Sequence, residues 1–349
     1  MMGFRTAVRP TIIVSLYLYS SYSLILGKQD SAILTNKERN MFERILLPLD
    51  CSKLAETAIP YVEELAGRLG SEIILYHVYG HEHKHQQRMP QVYLDRLADT
   101  IRQNTKNKGI EVKVTTEIEA GEPTENICNL VNKNKVDLII MTAVSASGLK
   151  IGKMLGSVTD HLCRTVPIPV LLLRPQDRQV IESKKQLINR ILIPLDGSEL
   201  SKLSLPIGEE LASRLKVKIT LFQMAALLRV YDYGYGMGYN TYDSSYSSKY
   251  NVYADYAKLE EEERNRVNNE MVALDKELKE KGFDVNYSIT SGADATNEII
   301  KAGKDSGADL TIMSTHGRSG IDRWILGSVT EKILRYGEMP LLLVNARAG

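Results

Sequence analysis

The segment Arg44-Ile-Leu-Leu-Pro-Leu-Asp50 returns as Arg190-Ile-Leu-Ile-Pro-Leu-Asp196, 146 residues further on, and Gly156-Ser-Val-Thr159 returns as Gly327-Ser-Val-Thr330, 171 residues further on. A repeat this long duplicates a whole domain and not a solenoid unit. The second copy therefore carries about 25 additional residues between the two landmarks. The halves are read as 41–175 and 186–349, joined by a polar, charged linker at 176–185.

Short apolar runs alternate with longer amphipathic stretches in both halves. The runs of the first are Ile45–Leu49, Ile73–Val78, Val112–Ile118, Leu138–Met141 and Val170–Leu173. Those of the second are Ile191–Leu195, Ile219–Met224, Val285–Ile289, Leu310–Met313 and Leu341–Val344. Between them, Ala55–Leu69 and Leu203–Leu215 show apolar residues recurring at three and four, and Ala257–Lys281 reads as a charged helix. Strands alternating with helices predict the α/β class: two tandem doubly wound, Rossmann-like domains, each a five-stranded, mostly parallel sheet with helices on both faces. The apolar edge strands 170–173 and 341–344 are expected to pair across a pseudo-twofold axis, making an intramolecular pseudo-dimer.

Composition narrows the functional classes. With 44 basic and 43 acidic residues the chain has a formal charge of +1, so no basic surplus points to nucleic acid or to a membrane surface. Cys51, Cys128 and Cys163 are too few and too scattered for a disulfide framework or a cysteine zinc site, which predicts a reducing, cytoplasmic setting. Residues 11–26 imitate a signal or anchor, but this run of 16 contains five serines or threonines and falls short of the roughly 20 apolar residues of a spanning helix. Residues 1–40 are read as an N-terminal extension, disordered or arising from an upstream start, with membrane anchoring through 11–26 as the alternative.

In open α/β sheets the ligand crevice lies at the carboxyl ends of the strands. There the second half presents Asp196, then Met313-Ser314-Thr-His316-Gly317-Arg318-Ser-Gly320, and Gly327-Ser328-Val329-Thr330 opening a helix. Gly317 and Gly320 allow close backbone approach, and a glycine-serine helix start offers unpaired N–H groups and a favourable dipole to a phosphate. The same residues also suit an ordinary capped turn, and Asp196 also suits a helix cap.

With those residues the second half resembles a universal stress protein domain of the ATP-binding type, whose signature is G-x2-G-x9-G-S/T. Gly317, nine residues, and Gly327-Ser328 match its later parts, while Ser314 stands where the first glycine belongs. The resemblance extends over nearly all of 41–349 as two copies. It implies ATP, with or without Mg, as the ligand. By the same resemblance Asp196 would meet the adenosine moiety, and Pro194 and Met224 would line the base. Ser314, His316 and Gly317 would follow the ribose and phosphates, with Arg318 a charged contact to phosphate or solvated and Met313 and Gly320 completing the binding set, and Gly327, Ser328, Val329 and Thr330 would hold the phosphate chain.

The first half departs from this pattern. Ala146 occupies the position ten before Gly156 where the signature has glycine, and Gly148 to Gly156 is one residue longer than Gly320 to Gly327. Asp50, Val78, Gly148, Gly156 and Ser157 are thus read as a weakened counterpart site. His81, His83 and His85 follow His77 in a polar loop suited to solvent or to metal, and the Tyr-rich insert 229–256 holds nine of the 18 tyrosines.

Neither a Walker A motif nor a G-x-G-x-x-G turn after strand 1 is present, and no nucleophile or carboxylate cluster accompanies the candidate phosphate loop. The sequence reading is a nucleotide-binding stress or signalling module, at most a weak ATPase, acting on an unidentified protein partner and able to form homo-oligomers. A nucleotide-independent interaction scaffold is the alternative.

Overall fold

The computed structural model describes residues 41–80, 88–143, 155–174, 185–226, 252–316 and 326–345. The N-terminal extension, His81, His83 and His85, Ala146, Gly148, Gly317, Arg318, Gly320 and nearly all of the linker and the Tyr-rich insert lie outside those residues.

In the first half the strands are β1 (Arg44–Pro48), β2 (Glu72–Tyr79), β3 (Val114–Ala120), β4 (Leu138–Thr142) and β5 (Val170–Leu173). The helices are α1 (Ile59–Leu69), preceded by a 3-10 turn at Ala55–Ala58, α2 (Arg88–Asn107), α3 (Pro123–Asn134) and α4 (Ser157–Thr165). The second half repeats this as β6 (Arg190–Leu195), α5 (Glu199–Lys202), α6 (Ser204–Leu215), β7 (Lys218–Ala226) and α7 (Val252–Glu280). It continues with β8 (Val285–Gly292), α8 (Ala295–Ser306), β9 (Leu310–Ser314), α9 (Ser328–Tyr336) and β10 (Leu341–Val344). The ten apolar runs all form strands. The charged helix begins five residues earlier than its periodicity suggests, because α7 extends back to Val252.

Local chemistry sets the helix ends. Proline near the start of α1 and of α3 removes an N–H that would lack a partner there, and Glu122 caps α3 by accepting from the Glu125 N–H at 3.0 Å. Gly70 ends α1 at φ +69°, whereas α6 ends on Lys216 at φ +53°, a conformation that L-residues adopt at a cost.

All ten strands join one sheet in the order β3-β2-β1-β4-β5-β10-β9-β6-β7-β8. Every neighbouring pair is parallel except β5 and β10, which run antiparallel with Leu172 opposite Leu341, Leu171 opposite Leu342 and Val170 opposite Leu343. The expected pairing of 170–173 with 341–344 is therefore present. It turns two five-stranded sheets into one, with β3 and β8 as the edges among the described residues.

Two apolar layers cover the sheet, and both run through both halves. On one face α1, α2, α6 and α7 pack over Ile45, Leu47, Leu171, Ile191, Ile193 and Leu342. On the other, α3, α4, α8 and α9 pack over Leu46, Ile139, Leu172, Leu192, Met313 and Leu341. Strand order reverses between β1 and β4 and again between β6 and β9, which puts one switch-point crevice in each half, beyond Asp50 and Asp196.

Candidate functional site

In the second half β6 delivers Leu195 buried and Asp196 half-buried at its carboxyl end. Gly197 turns the chain at φ +80°, and the Asp196 Oδ1 accepts from the Ser198 N–H at 2.9 Å and from its hydroxyl at 2.6 Å. Ser198 in turn caps α5, its Oγ accepting from the Ser201 N–H at 3.1 Å. The helix-capping role left open for Asp196 thus belongs to Ser198, and Asp196 braces the turn before it.

Across the crevice β9 ends on buried Ser314, whose hydroxyl donates to the His316 carbonyl. His316 is half-buried, with its Nδ1 3.0 Å from the Thr315 hydroxyl. The Gly327 N–H donates to the Thr315 carbonyl at 2.9 Å, and the Thr330 hydroxyl donates to the Ser314 carbonyl at 3.1 Å. Together these bonds staple the first turn of α9 to the end of β9. Thr330 is buried with its hydroxyl committed in this way, so the phosphate-binding hydroxyl expected there becomes a structural pin.

Gly327 stands at the head of α9 with φ −56° and ψ 143°, and having no side chain it supplies no cap to the N–H groups of Ser328, Val329 and Thr330. Ser328 is exposed and Val329 half-buried. Of the two candidates for the base, Met224 is half-buried on β7 and Pro194 is buried in β6, while Met313 is buried in β9. The structure therefore brings Asp196, Ser314, His316, Gly327 and Ser328 to one end of the sheet.

The first half repeats the staple. Gly156 donates from its N–H to the Ala143 carbonyl at 3.2 Å, and the Thr159 hydroxyl donates to the Thr142 carbonyl at 3.2 Å. Gly156 is buried at the head of α4, Ser157 is exposed, and Val78 is half-buried on β2. Asp50 is exposed and its Oδ1 accepts from the Ser52 N–H at 2.9 Å.

The turn itself differs, because Cys51 holds the position of Gly197 at φ +62°. Its sulfur lies 3.6 Å from the His77 Nδ1, which is also 2.8 Å from the Leu49 carbonyl. Burial, followed by the charges of Asp50 and Glu56, raises the thiol above its ordinary range and disfavours the thiolate. Sequence reading missed this substitution, although aligning the repeat at Asp50 and Asp196 places cysteine opposite glycine. Among the described residues no group of three or more His, Cys, Asp or Glu side chains is arranged to hold a metal ion.

Two doubly wound units fused through one sheet, each with a stapled glycine-serine helix start beside its switch point, define a tandem α/β protein with one crevice per half. The model of the Universal stress protein family matches residues 41–174 and 188–345, and the chain belongs to that family. A universal stress protein from Archaeoglobus fulgidus shares the fold at TM-score 0.59 and 17% identity, over 88% of this chain and 98% of that one. A functionally unknown protein, PA1789 from Pseudomonas aeruginosa, does so at TM-score 0.57 and 16% identity, over 87% and 92%. In sequence, Universal stress protein MJ0577 of Methanocaldococcus jannaschii is 37% identical over 90 residues, 26% of this chain and 52% of that protein. The match thus spans about half the length of that relative. Universal stress protein MJ0531 of the same organism is 25% identical over 166 residues, 48% of this chain and 87% of that protein. No helix among the described residues is long and apolar enough to cross a membrane.

Proposed function

We propose that the second half binds an adenine nucleotide, ATP with or without Mg, and that the bound state regulates association with a protein partner in a cytoplasmic stress response. The observation that carries this reading is the start of α9. Its first-turn N–H groups receive no cap from Gly327, and two hydrogen bonds fix them beside the end of β9. Such a helix terminus favours an anion through its N–H groups and its dipole. The backbone of Ser328, Val329 and Thr330 and the exposed Ser328 hydroxyl are the groups to take phosphate oxygens, and Asp196, across the crevice, is the acceptor for ribose or base donors. The cytoplasmic setting is supported by three cysteines, all free.

The first half is the weaker site on this reading. It keeps the staple, but Cys51 fills the turn that Gly197 leaves open, and Ala146 interrupts the signature. A nucleotide-independent scaffold is the second reading, favoured by the β5–β10 seam and the core layers shared by both halves.

Calorimetric titration of ATP tests both. One tight site per chain is expected, weakened by Asp196→Ala and not by Asp50→Ala. Gly327→Val should lower affinity by roughly 10² to 10⁴, the loss of about two charge-assisted hydrogen bonds. Two equivalent sites would overturn the asymmetry. A folded Gly327→Val variant that binds within about threefold of the parent, less than 1 kcal/mol, would favour the scaffold.

A further inference from the structure

We propose that the second half carries a separate small-ligand site in the groove between the β7–β8 face and α8, and that it takes a monosaccharide-sized polyol. The case comes from comparing the two copies residue by residue. In the first, this face is filled: Tyr76 donates from its hydroxyl to Glu119 at 2.7 Å, and the side-chain amides of Asn126 and Asn134 donate to Glu119 at 3.3 Å and to Glu117 at 2.7 Å. Strand register pairs Tyr76 with Glu117 and Val78 with Glu119, and it pairs Phe222 with Ser288 and Met224 with Thr290 in the second copy. Serine and threonine thus stand where glutamates stood. The twelve residues of α3 and of α8 likewise put Ala302 where Leu130 was.

These truncations open a groove of about 370 Å³, bridged by a bond from the Thr290 hydroxyl to Glu298 at 3.3 Å. Its floor contains Thr220, which stands in the place of Ile74, is 3% exposed, and has a buried hydroxyl with no hydrogen-bond partner among the described residues. A hydroxyl hidden without a partner is destabilising, and a ligand that reaches it removes that cost. The groove floor therefore contains a hydroxyl without a partner among the described residues, at a position where the other copy has a hydrocarbon.

The remaining lining identifies the ligand's chemistry. Asn286 and Ser288 offer neutral donors and acceptors, and Glu298, Lys301 and Asp305 place two carboxylates and one ammonium on the α8 wall. Such a wall compensates no anionic ligand, and Lys301 offsets one of the two carboxylates that would draw a cation. Carboxylates that accept from hydroxyls, amides and ammonium groups that donate to them, and apolar Phe222 and Ala302 beneath suit a ring or chain of hydroxylated carbons. The volume lies at the small end of the roughly 300–1,000 Å³ typical of ligand pockets, which fits one sugar ring. None of these residues belongs to the proposed nucleotide site, so either reading stands without the other.

The test uses the full chain with glucose, galactose, mannose, ribose and myo-inositol as probes, read by saturation-transfer NMR and calorimetry. At least one should bind with a Kd below about 10 mM. The double variant Ser288→Glu/Thr290→Glu, which restores the glutamates of the first copy, should weaken binding at least tenfold while ATP titration is unchanged. Thr220→Val should weaken it threefold or more without lowering thermal stability, which separates loss of a ligand contact from loss of fold. Failure of the whole panel to bind, or binding that survives both variants within twofold, would overturn the proposal. Sugar binding lost together with the fold in the double variant but retained in a folded Thr220→Val would also overturn it.

Discussion

Arg68 and Arg214, equivalent residues 146 positions apart in the repeat, each donate from a guanidinium Nη2 to the carbonyl that ends the other's helix, Arg68 to Leu215 and Arg214 to Leu69. Each also reaches the chain just before the other half's first strand, Arg68 to the Ile188 carbonyl at 2.9 Å and Arg214 to the Met41 carbonyl. Glu64 completes the first arrangement, holding Arg68 at 2.8 Å while accepting from the Leu187 N–H at 2.7 Å. A cation at a helix C-terminus satisfies carbonyls that the helix leaves open and opposes the negative end of its dipole.

Arg68→Met should therefore lower stability by about 2–4 kcal/mol, since it removes bonds to two partly buried carbonyls and leaves Glu64 without its cation. Arg214→Met should behave alike. The double variant should cost less than the sum, because both guanidiniums act on one interface. Urea unfolding measures all three, and a change below about 0.5 kcal/mol in either single variant would show that the reciprocal contacts contribute nothing.

The seam gives a second expectation. Leu343 on β10 is 1% exposed, lies opposite Val170 of β5, and belongs to a core layer drawn from both halves. Leu343→Ala should cost about 2–5 kcal/mol. Because both layers cross the seam, the variant should still unfold both halves in one calorimetric transition. Two resolved transitions in the parent protein would show that the halves are energetically independent.

A third concerns pH. Glu209 on α6 is 4% exposed and bonds Lys281 at 3.0 Å, and burial nonetheless raises its carboxyl above the ordinary 4.5, with Lys281 opposing that shift. Below 4.5 the carboxyl is protonated in both folded and unfolded chains. As pH rises past that value the unfolded chain releases the proton more readily, so stability falls until the folded carboxyl also ionises. Lys281 is itself raised above 10.5: burial lowers it, but Glu277 and Glu209 outweigh burial, so its stabilisation persists at neutral pH and is lost as pH climbs through the raised value. Glu209→Gln should thus gain on the parent as pH rises above 4.5, while Lys281 keeps Glu277 at 2.8 Å. Denaturant midpoints across that range measure it, and parallel curves for the two proteins would refute it.

Much of the architecture was legible because it rests on patterns that a linear chain displays. Ile45 to Leu49 and Leu341 to Val344 are apolar without interruption, and such runs form strands only when both faces of a sheet are covered. The repeated Gly-Ser-Val-Thr marked a helix start in each half for a similar reason, since a residue that frees a helix terminus is recognisable by type. The seam was legible from two apolar edge strands that needed a partner.

What the sequence did not contain was the use made of individual polar atoms. Thr330 reads as a free hydroxyl beside a phosphate, and only the approach of α9 to the end of β9 commits it to the Ser314 carbonyl. Arg68 and Arg214 read as surface charges at helix ends until the halves are packed and each guanidinium meets a carbonyl of the other. Thr220 and Asn286 lie 66 residues apart, and the groove they share exists because strand register sets them side by side, near an alanine of α8. Residue type and spacing fixed the elements and their order, because burial and helix capping act over a few neighbouring positions. Hydrogen-bond partners that are backbone carbonyls, and cavities left by the absence of side chains, depend on which distant atoms come within about 3 Å, and that distance is set only by tertiary packing.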